Sequence, residues 1–421
     1  MRRLLVLTAL LVGCPSEEPQ PEPADDLTAV VDAISAVTMK DDIDFLADDA
    51  RAGRIAGTPS MDEARDYLVG RMGEIGLQPL GTEGFVYPYD TTPRPGRYQL
   101  NANGTVTEND GLIGHDIVGL LPGSDPILAA EYVVVSAHYD GLGVESDGTV
   151  NNGAYDDATG TAALLEIARV LVEHDVAPAR STVFVLTDGE ENLHAGMAAW
   201  LEAPTVPAED IVVGLSMDPL GRPMLPDVWT TVILGTERSP ELDALWRASA
   251  DVHEMELVFI HRDVIPLFSS DHDEFYASFS PERASAWVVN PGMAWYHTVD
   301  DDAETIDYRI LRKSARYMTH MVHRLGNFEG AFTYRDAPEP GTQLGEDVVG
   351  LMDLVLSSDV LTGAERSAAI THRDTFQAIA DAGTVDVLDN PDAQIFDAIT
   401  FLLFDLNQAH PGPVPPPFPE E

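Results

Sequence analysis

The sequence has little cysteine and little lysine, and both shortages exclude classes of protein. Cys14 is the only cysteine in 421 residues, which leaves no intrachain disulfide and no zinc cluster built on thiolates. Its place near the N-terminus also argues against a cysteine nucleophile. Only two lysines are present, and 24 basic against 71 acidic residues give a net charge of -47. Because such a field repels phosphate backbones, we expect no nucleic-acid partner.

The first 26 residues have the pattern of an export signal followed by a tether. Two arginines precede the apolar run Leu4–Val12, which is too short to span a bilayer as a mature helix. The run leads into Leu-Val-Gly-Cys14, which resembles the lipobox of bacterial lipoproteins, so residues 1–14 are expected to form a lipoprotein signal peptide. Residues 15–26 are acidic and proline-rich, as an extended tether should be. We expect an exported protein, anchored to a bacterial membrane through a lipidated Cys14 and facing the periplasm or the cell exterior. An ordinary secretory signal that contains a cysteine is the alternative.

Residues 27–328 are predicted to form one large α/β domain. Continuous apolar runs at Tyr132–Ala137, Thr182–Thr187 and Ile211–Met217 are typical of strands buried on both faces. Helical periodicity occurs on both sides of a Gly-rich loop between Arg51 and Pro59, and over Thr159–Val172, Met197–Leu201, Leu242–Val252 and Tyr308–Leu325. Strands that alternate with helices favour a three-layer, doubly wound, mostly parallel mixed sheet.

The alternation of strands and helices stops after Asn327. Apolar stripes at helical spacing over Val348–Leu356 and Ile395–Leu406 predict a helical C-terminal extension, residues 329–409. Residues 410–421 form a Pro-rich tail.

Metal-ligating side chains follow each predicted strand. His138-Tyr139-Asp140 ends the first run, Glu190-Glu191 closely follows the second, and Asp218 follows the third. Asp156 and Asp157 begin the helix after the first strand, where the helix dipole favours negative charge. Ligands bind at the carboxyl ends of strands in an open parallel sheet, so these groups should converge. Imidazole and carboxylate ligands suit zinc, with manganese or cobalt as alternatives.

Each of these residues alone is weak evidence for a site. Most of the 71 acidic residues must be solvated surface charges, and Asp156 could simply cap its helix. The prediction depends on the conjunction of several ligands at strand ends.

The ordered motifs resemble those of the co-catalytic zinc metallopeptidases, a family of secreted bacterial aminopeptidases with glutaminyl cyclases as divergent relatives. The resemblance runs from about Phe45 to Leu325. It rests on the motifs Ala137-His-Tyr-Asp140, Gly153-Ala-Tyr-Asp-Asp-Ala-Thr-Gly160, Glu190-Glu191, Met217-Asp218, Ser270-Asp-His272 and Tyr296-His-Thr298, with Gly53-Arg54 and Val118–Gly123 as further matches.

The resemblance implies a site with two zinc ions. One ion would be held by His138 and Asp218 and the other by Glu191 and His297, with Asp156 bridging both. A shared carboxylate suits two cations that lie roughly 3.5–4 Å apart.

The same resemblance assigns roles to the neighbouring groups. Glu190 would be the general base, Asp140 would orient the His138 imidazole, and Tyr296 would donate a hydrogen bond to the developing oxyanion. Asp301 is expected to play a part near His297 similar to that of Asp140. Asp271 and His272 are expected to support the pocket. The remaining histidines are interpreted as structural or surface residues: His115, His174, His194, His253, His261, His320, His323, His372 and His410.

Some positions depart from the family pattern. Gly141 stands where many relatives have a second histidine, and Leu193 and Met197 replace a glycine and a serine that commonly follow the Glu-Glu pair. Residues 280–290 form an unusual approach to the last ligand. These departures bear on substrate preference more than on activity, because no ligand is missing.

The function that these observations favour is an exported zinc aminopeptidase acting on peptides with a free N-terminus. Glutaminyl-peptide cyclisation is an alternative, although one zinc would need fewer ligands than this chain offers. The other alternative is a non-catalytic, peptide-binding lipoprotein on the same fold, for which loss of ligands would be the usual signature.

Overall fold

A computed structural model describes residues 27–56, 58–91, 99–100, 106–107, 113–265, 269–277, 279–336, 338–412 and 414–415. The predicted signal peptide and tether lie outside these residues, as does the end of the Pro-rich tail. Within the described ranges, no helix has the length and apolar character needed to cross a membrane.

A mixed sheet of nine strands forms the centre of the described structure. The strands in chain order are β1 (Gln78–Pro79), β2 (Val86–Asp90), β3 (Gln99–Leu100), β4 (Val106–Thr107), β5 (Ile113–Leu121), β6 (Tyr132–His138), β7 (Gly143–Val144), β8 (Val150–Asn151), β9 (Ser181–Thr187), β10 (Ile211–Met217), β11 (Thr230–Leu234), β12 (Glu256–Ile260) and β13 (Ser285–Val289). In the sheet they follow the order β1-β5-β9-β6-β10-β13-β11-β12, with β2 also paired to β5. The pairs β3–β4 and β7–β8 are separate.

Four neighbouring strands at the centre of the sheet run parallel: β9, β6, β10 and β13. The flanking strands β5 and β11 are antiparallel to this group. Alternate residues of β6 enter different apolar clusters, since Val133 and Val135 face one side and Val134 the other. This burial on both faces explains why the central strands are continuous apolar runs.

Twelve α-helices surround the sheet in the described residues. They are α1 (Thr28–Asp32), α2 (Ala36–Leu46), α3 (Pro59–Ile75), α4 (Thr159–Glu173), α5 (Ala195–Glu202), α6 (Pro240–Arg247), α7 (Glu274–Ala277), α8 (Tyr308–Asn327), α9 (Thr342–Ser357), α10 (Gly363–Ala382), α11 (Pro391–Thr400) and α12 (Leu406–Ala409). Helices α4 and α8 pack on one face of the sheet, with α1 and α2 against them, and α5 and α7 pack on the other. The predicted three-layer α/β architecture is therefore confirmed.

The ends of α3 illustrate how local sequence sets these elements. The Thr58 hydroxyl accepts a hydrogen bond from the Met61 N–H, and Pro59 occupies the first turn, where its missing N–H costs nothing. Gly76 ends the helix with a φ of 92°, a left-handed conformation that suits glycine. The Gly-rich loop before Pro59 thus ends where the sequence predicted.

Two features of the sheet domain differ from the sequence prediction. The helix expected over Leu242–Val252 is shorter, because α6 ends at Arg247 and only a 3₁₀ turn follows at Ala250–Val252. Strands β2, β11, β12 and β13 were not predicted. Each has only five residues, and a run that short carries little periodicity to separate a strand from a loop or helix end.

Among its described residues, the C-terminal extension contains four helices, α9 to α12, and it shares the core of the sheet domain. The apolar residues Leu344, Val348 and Leu351 of α9 are fully buried in the main hydrophobic cluster. Helix α9 packs on β12, and α12 packs on a short 3₁₀ helix at Met293–Trp295, just before His297. The extension is thus packed onto the sheet domain rather than held apart from it.

Candidate metal centre

The parallel strands bring the predicted ligands to one edge of the sheet. Ser136 of β6 pairs with Ser216 of β10, so His138 and Asp218 lie at the same level, two residues further along each strand. The turn with Glu190 and Glu191 follows β9, and the segment leading to His297 follows β13. The carboxyl ends of four adjacent strands therefore supply the site, as expected for an open α/β sheet.

Three buried side chains form a first ligand group: His138, Asp156 and Asp218. The Nε2 atom of His138 lies 3.0 Å from Asp156 Oδ1 and 3.4 Å from Asp218 Oδ1. The His138 side chain is 1% exposed, so this group is enclosed by protein.

A second ligand group consists of Asp156, Glu191 and His297. The Nε2 atom of His297 lies 3.0 Å from Asp156 Oδ2 and 3.4 Å from Glu191 Oε1. The two oxygens of Asp156 therefore face two different imidazoles. All five predicted ligands are brought together in two groups with Asp156 in common.

The ligand atoms are placed to bind divalent cations rather than to hydrogen-bond with one another. Glu191 Oε1 and His297 Nε2 are buried and make no hydrogen bond within the described structure, although they are 3.4 Å apart. Three carboxylates and two imidazole nitrogens around two points form the donor set typical of zinc. The residues present thus fit the implied zinc ions.

The electrostatics of the site lead to the same conclusion. Burial alone would lower the pKa of His138, but attraction to Asp218 and Glu190 outweighs it and raises this pKa well above its usual range. For His297, attraction to Glu191 and Asp156 likewise outweighs burial and raises the pKa. Burial opposes ionisation of Asp156, yet the two neighbouring imidazoles, His138 and His297, hold its pKa below the usual range. Without a cation, protons on the imidazoles therefore balance the carboxylates.

Asp140 has a wider structural role than the sequence predicted. One oxygen lies 3.4 Å from His138 Nδ1, close enough to orient the ring. The same carboxylate accepts hydrogen bonds from the backbone N–H groups of Glu190 at 3.0 Å and Glu191 at 3.2 Å. Asp140 thus connects one ligand to the turn that contains another and the predicted base.

Asp301 is not the partner of His297 that the sequence suggested. Its carboxylate accepts hydrogen bonds from the backbone N–H groups of Tyr155 at 2.9 Å and Asp156 at 3.1 Å. It also forms an ion pair with the buried Arg222 at 2.9 Å. The Arg222 guanidinium lies over the rings of Tyr155 and Trp295, at 4.6 and 4.8 Å from their centroids. Asp301 therefore holds the backbone of the shared ligand, and no local sequence pattern indicated Arg222.

Arg54 is a buried cation that connects two ligand segments through their backbones. Its guanidinium donates hydrogen bonds to the carbonyl oxygens of Tyr139 at 2.7 Å and Asn152 at 2.6 Å, and also to those of Leu46 and Gly153. The Tyr139 carbonyl directly follows His138, and the Asn152 and Gly153 carbonyls shortly precede Asp156. The Gly53-Arg54 motif therefore stabilises the geometry of the first ligand group.

Glu190 and Tyr296, the two predicted catalytic groups beside the ligands, both lie at the site. The Glu190 side chain is 11% exposed, and burial raises its pKa well above the usual range. The Tyr296 ring stacks on His297 with 3.8 Å between centroids. Burial also raises the Tyr296 pKa, which keeps its hydroxyl protonated as a hydrogen-bond donor.

Asp271 and His272 lie beneath the site rather than in it. Asp271 accepts a hydrogen bond from the Thr187 hydroxyl at 2.5 Å, and burial raises its pKa to about 6. The His272 ring stacks on Trp287 at 5.4 Å, and burial lowers its pKa to about 3. Both are placed as the expected supporting residues would be.

The structure shows the backbone surroundings of two positions that depart from the family pattern, Gly141 and Leu193. A Cβ atom on Gly141 would lie 3.0 Å from the Gly53 carbonyl oxygen, so a side chain at this position would require a small shift of that backbone. Leu193 has a φ of 59°, a left-handed conformation that a glycine would adopt without strain.

Part of the chain matches a known protein family, and its fold is similar to those of solved structures. Residues 116–322 match the profile of Peptidase family M28. No curated protein matches the chain by sequence. The fold is similar to that of the LapA aminopeptidase of Legionella pneumophila, with 14% identity, a TM-score of 0.57, and coverage of 78% of this chain and 81% of that chain. A Zn-dependent exopeptidase of Parabacteroides distasonis gives 20% identity and a TM-score of 0.50, with coverage of 69% and 98%.

A glutaminyl cyclase is also among the similar structures. The enzyme of Porphyromonas gingivalis shares 17% identity with a TM-score of 0.52, over 70% of this chain and 99% of that chain. These likenesses agree on the fold and leave open which reaction the chain performs. Residues 116–322 of this protein form a domain of Peptidase family M28, in agreement with the motifs found in the sequence.

Proposed function

We propose that this protein is a zinc-dependent aminopeptidase that removes residues from the N-termini of peptides. The observation that carries the proposal is the pair of ligand groups that share Asp156, with Glu190 beside them. The proposed ligands are His138 and Asp218 for one ion, Glu191 and His297 for the other, and Asp156 for both. Manganese or cobalt could take the same positions.

The residues around the ligands have distinct proposed roles. Two zinc ions, when bound, would polarise the scissile carbonyl and acidify the attacking water. Glu190 takes the proton from that water and returns it to the leaving amine, and its raised pKa suits both transfers. Tyr296 donates a hydrogen bond to the oxyanion, and Asp140 keeps the His138 ring in its orientation. The surplus of carboxylates at the site attracts a protonated N-terminal amine.

Glutaminyl-peptide cyclisation is the second candidate, because a glutaminyl cyclase has a similar fold. It needs a glutamine at the N-terminus and releases ammonia without consuming water. The presence of two ligand groups favours hydrolysis over cyclisation, since a single zinc would leave the side chains of one group without a metal.

The test uses the full chain in mild detergent, loaded with zinc. Three peptides are followed by mass: one with a free N-terminus, its N-acetylated twin, and one that begins with glutamine. Stepwise loss of N-terminal residues from the free peptide alone would support the aminopeptidase. Loss of 17 Da from the glutamine peptide alone would favour cyclisation. Cleavage of both twins would contradict an exopeptidase that requires a free amine.

A Glu190→Gln variant tests the proposed role of Glu190 as the general base. It keeps the shape of the side chain but cannot accept the proton. We expect hydrolysis to fall by roughly 10³-fold or more while zinc content stays at the wild-type value. Retained turnover would overturn the role of Glu190.

We also propose that the chain is exported and anchored through lipid on Cys14. Mass spectrometry of the N-terminal peptide from membranes should find a lipid-modified Cys14, and a Cys14→Ser variant should no longer fractionate with membranes. Unmodified Cys14 in a membrane-free protein would favour the ordinary secretory signal.

A further inference from the structure

His194, which was expected from the sequence to be a structural or surface residue, lies beside Glu190. Its Nε2 atom is 3.4 Å from Glu190 Oε1 and 3.0 Å from Ser269 Oγ. On the other side of the ring, Nδ1 is 3.4 Å from Glu274 Oε1. The three side chains of His194, Glu190 and Glu274 are 12%, 11% and 7% exposed. The imidazole therefore fills the space between two largely buried carboxylates.

The backbone around His194 adopts an unusual conformation that directs its ring toward Glu190. Leu193 and His194 have φ values of 59° and 55°, and neither is a glycine. The His194 N–H donates a hydrogen bond of 2.8 Å to the Glu190 carbonyl, which closes the turn. Left-handed conformations of such residues are costly and persist where surrounding contacts determine them, often at functional sites.

We infer that His194 is a positioning residue for Glu190, with Glu274 holding the imidazole from its other side. This inference rests on the proposed function, because it assigns His194 a part in fixing the proposed general base. A base acts only from the right direction, and a misplacement of about 1 Å can cost roughly 10²-fold in rate. Without the imidazole, the Glu190 side chain would have alternative rotamers available. Nothing in this role requires His194 to touch the substrate.

Two conservative substitutions of His194 distinguish the contact made by Nε2 from the contact made by Nδ1. The amide of glutamine reaches about as far as Nε2, so His194→Gln keeps a group facing Glu190. The shorter amide of asparagine reaches about as far as Nδ1, so His194→Asn keeps only the side facing Glu274. His174→Asn is the matched control, because His174 is exposed on the far end of α4.

Steady-state kinetics on the zinc-loaded full chain test the inference. We expect His194→Asn to lower kcat about 10- to 100-fold with KM and zinc content unchanged, whereas His194→Gln and the His174 control stay within about threefold of wild type. A general structural role would affect the two His194 variants alike and would also lower zinc content. Equal losses in both variants, or no loss in His194→Asn, would overturn the inference.

A second measurement does not depend on turnover. With ¹⁵N-labelled histidine, the His194 ring signals are assigned by their disappearance in His194→Gln. Glu190→Gln and Glu274→Gln should each shift these signals, while Glu282→Gln, at an exposed position, should not. Shifts in a protein that hydrolyses no peptide would contradict the proposed function and leave the positioning contact standing. Unchanged His194 signals in Glu190→Gln would overturn the contact itself.

Discussion

The two ligand groups share Asp156 but are built in different ways. His138 and Asp218 stand at the ends of paired parallel strands, and the His138 side chain is 1% exposed. Glu191 and His297 lie on turns, and the His297 side chain is 27% exposed. His297 also has a φ of 57°, a left-handed conformation outside the sheet. We therefore expect the first group to be the rigid, stability-linked half of the centre and the second to be the half that exchanges metal.

The largest effect should come from the residue that the two groups share. Asp156→Asn keeps the shape of the side chain and removes the charge that faces both imidazoles. We expect activity to fall by roughly 10³-fold or more and zinc content to fall at both positions. Elemental analysis together with peptide turnover measures both effects. Asp300→Asn, a charge removal on the exposed surface near His297, is the control and should leave both values unchanged. Full loss of only one zinc would show that Asp156 does not bridge.

Removal of one histidine from each ligand group tests whether the two groups contribute differently to stability. In zinc-free protein, His138→Ala leaves buried carboxylates without their cation, so we expect the free energy of unfolding to fall by about 3 kcal/mol. His297→Ala removes a more exposed partner, and its cost should be below about 1 kcal/mol. Urea denaturation in the presence of a chelator gives both numbers. Equal losses would contradict the proposed difference between the groups.

Zinc binding should release protons from both groups. The pKa values of His138 and His297 are raised in the zinc-free site, so each imidazole carries a proton that the metal must displace. Zinc affinity should therefore increase as pH rises towards those pKa values. Calorimetry in buffers of different ionisation enthalpy should find about two protons released per filled centre, and about one in His297→Ala. No dependence on the buffer would contradict the raised pKa values.

The smallest effect concerns the strained turn that follows Glu191. Leu193 is 49% exposed and left-handed, so its strain is not offset by much burial. Leu193→Gly relieves the backbone strain but increases the conformational entropy of the unfolded chain. Leu193→Ala keeps the Cβ atom and therefore the strain. We expect the glycine variant to be more stable than the alanine variant by about 1 kcal/mol, with activity unchanged within about twofold. Thermal unfolding of the pair measures the difference, and an alanine variant of equal or greater stability would contradict the assigned strain.

The sequence predicts the first ligand group better than the surroundings of the second. His138 and Asp218 directly follow long apolar runs, whose strand signal is strong, and the same rule places Glu191 after β9. The approach to His297 runs through β13, a five-residue strand that the sequence did not indicate. A strand this short depends on its neighbours β10 and β11 for its identity.

The supporting residues could not be assigned because their partners are distant in the chain. Asp301 binds the Asp156 backbone through a hydrogen bond that spans 145 residues. Arg222 has its role only because the rings of Tyr155 and Trp295 enclose it. His194 did offer a local signal, since it lies four residues after Glu190, but a spacing of four gains meaning only when the turn between them is known.

The pairing of β6 with β10 also determines where the chain tolerates insertions and deletions. Ser136 lies opposite Ser216, and neighbouring residues of a strand point to opposite faces of the sheet. One added or deleted residue within either strand would turn His138 or Asp218 away from Asp156. A change of length in the connection between α5 and β10, which follows the turn with Glu190 and Glu191, leaves that alignment intact. Related chains that keep the centre should therefore vary in the length of their connections and preserve the length of these two strands.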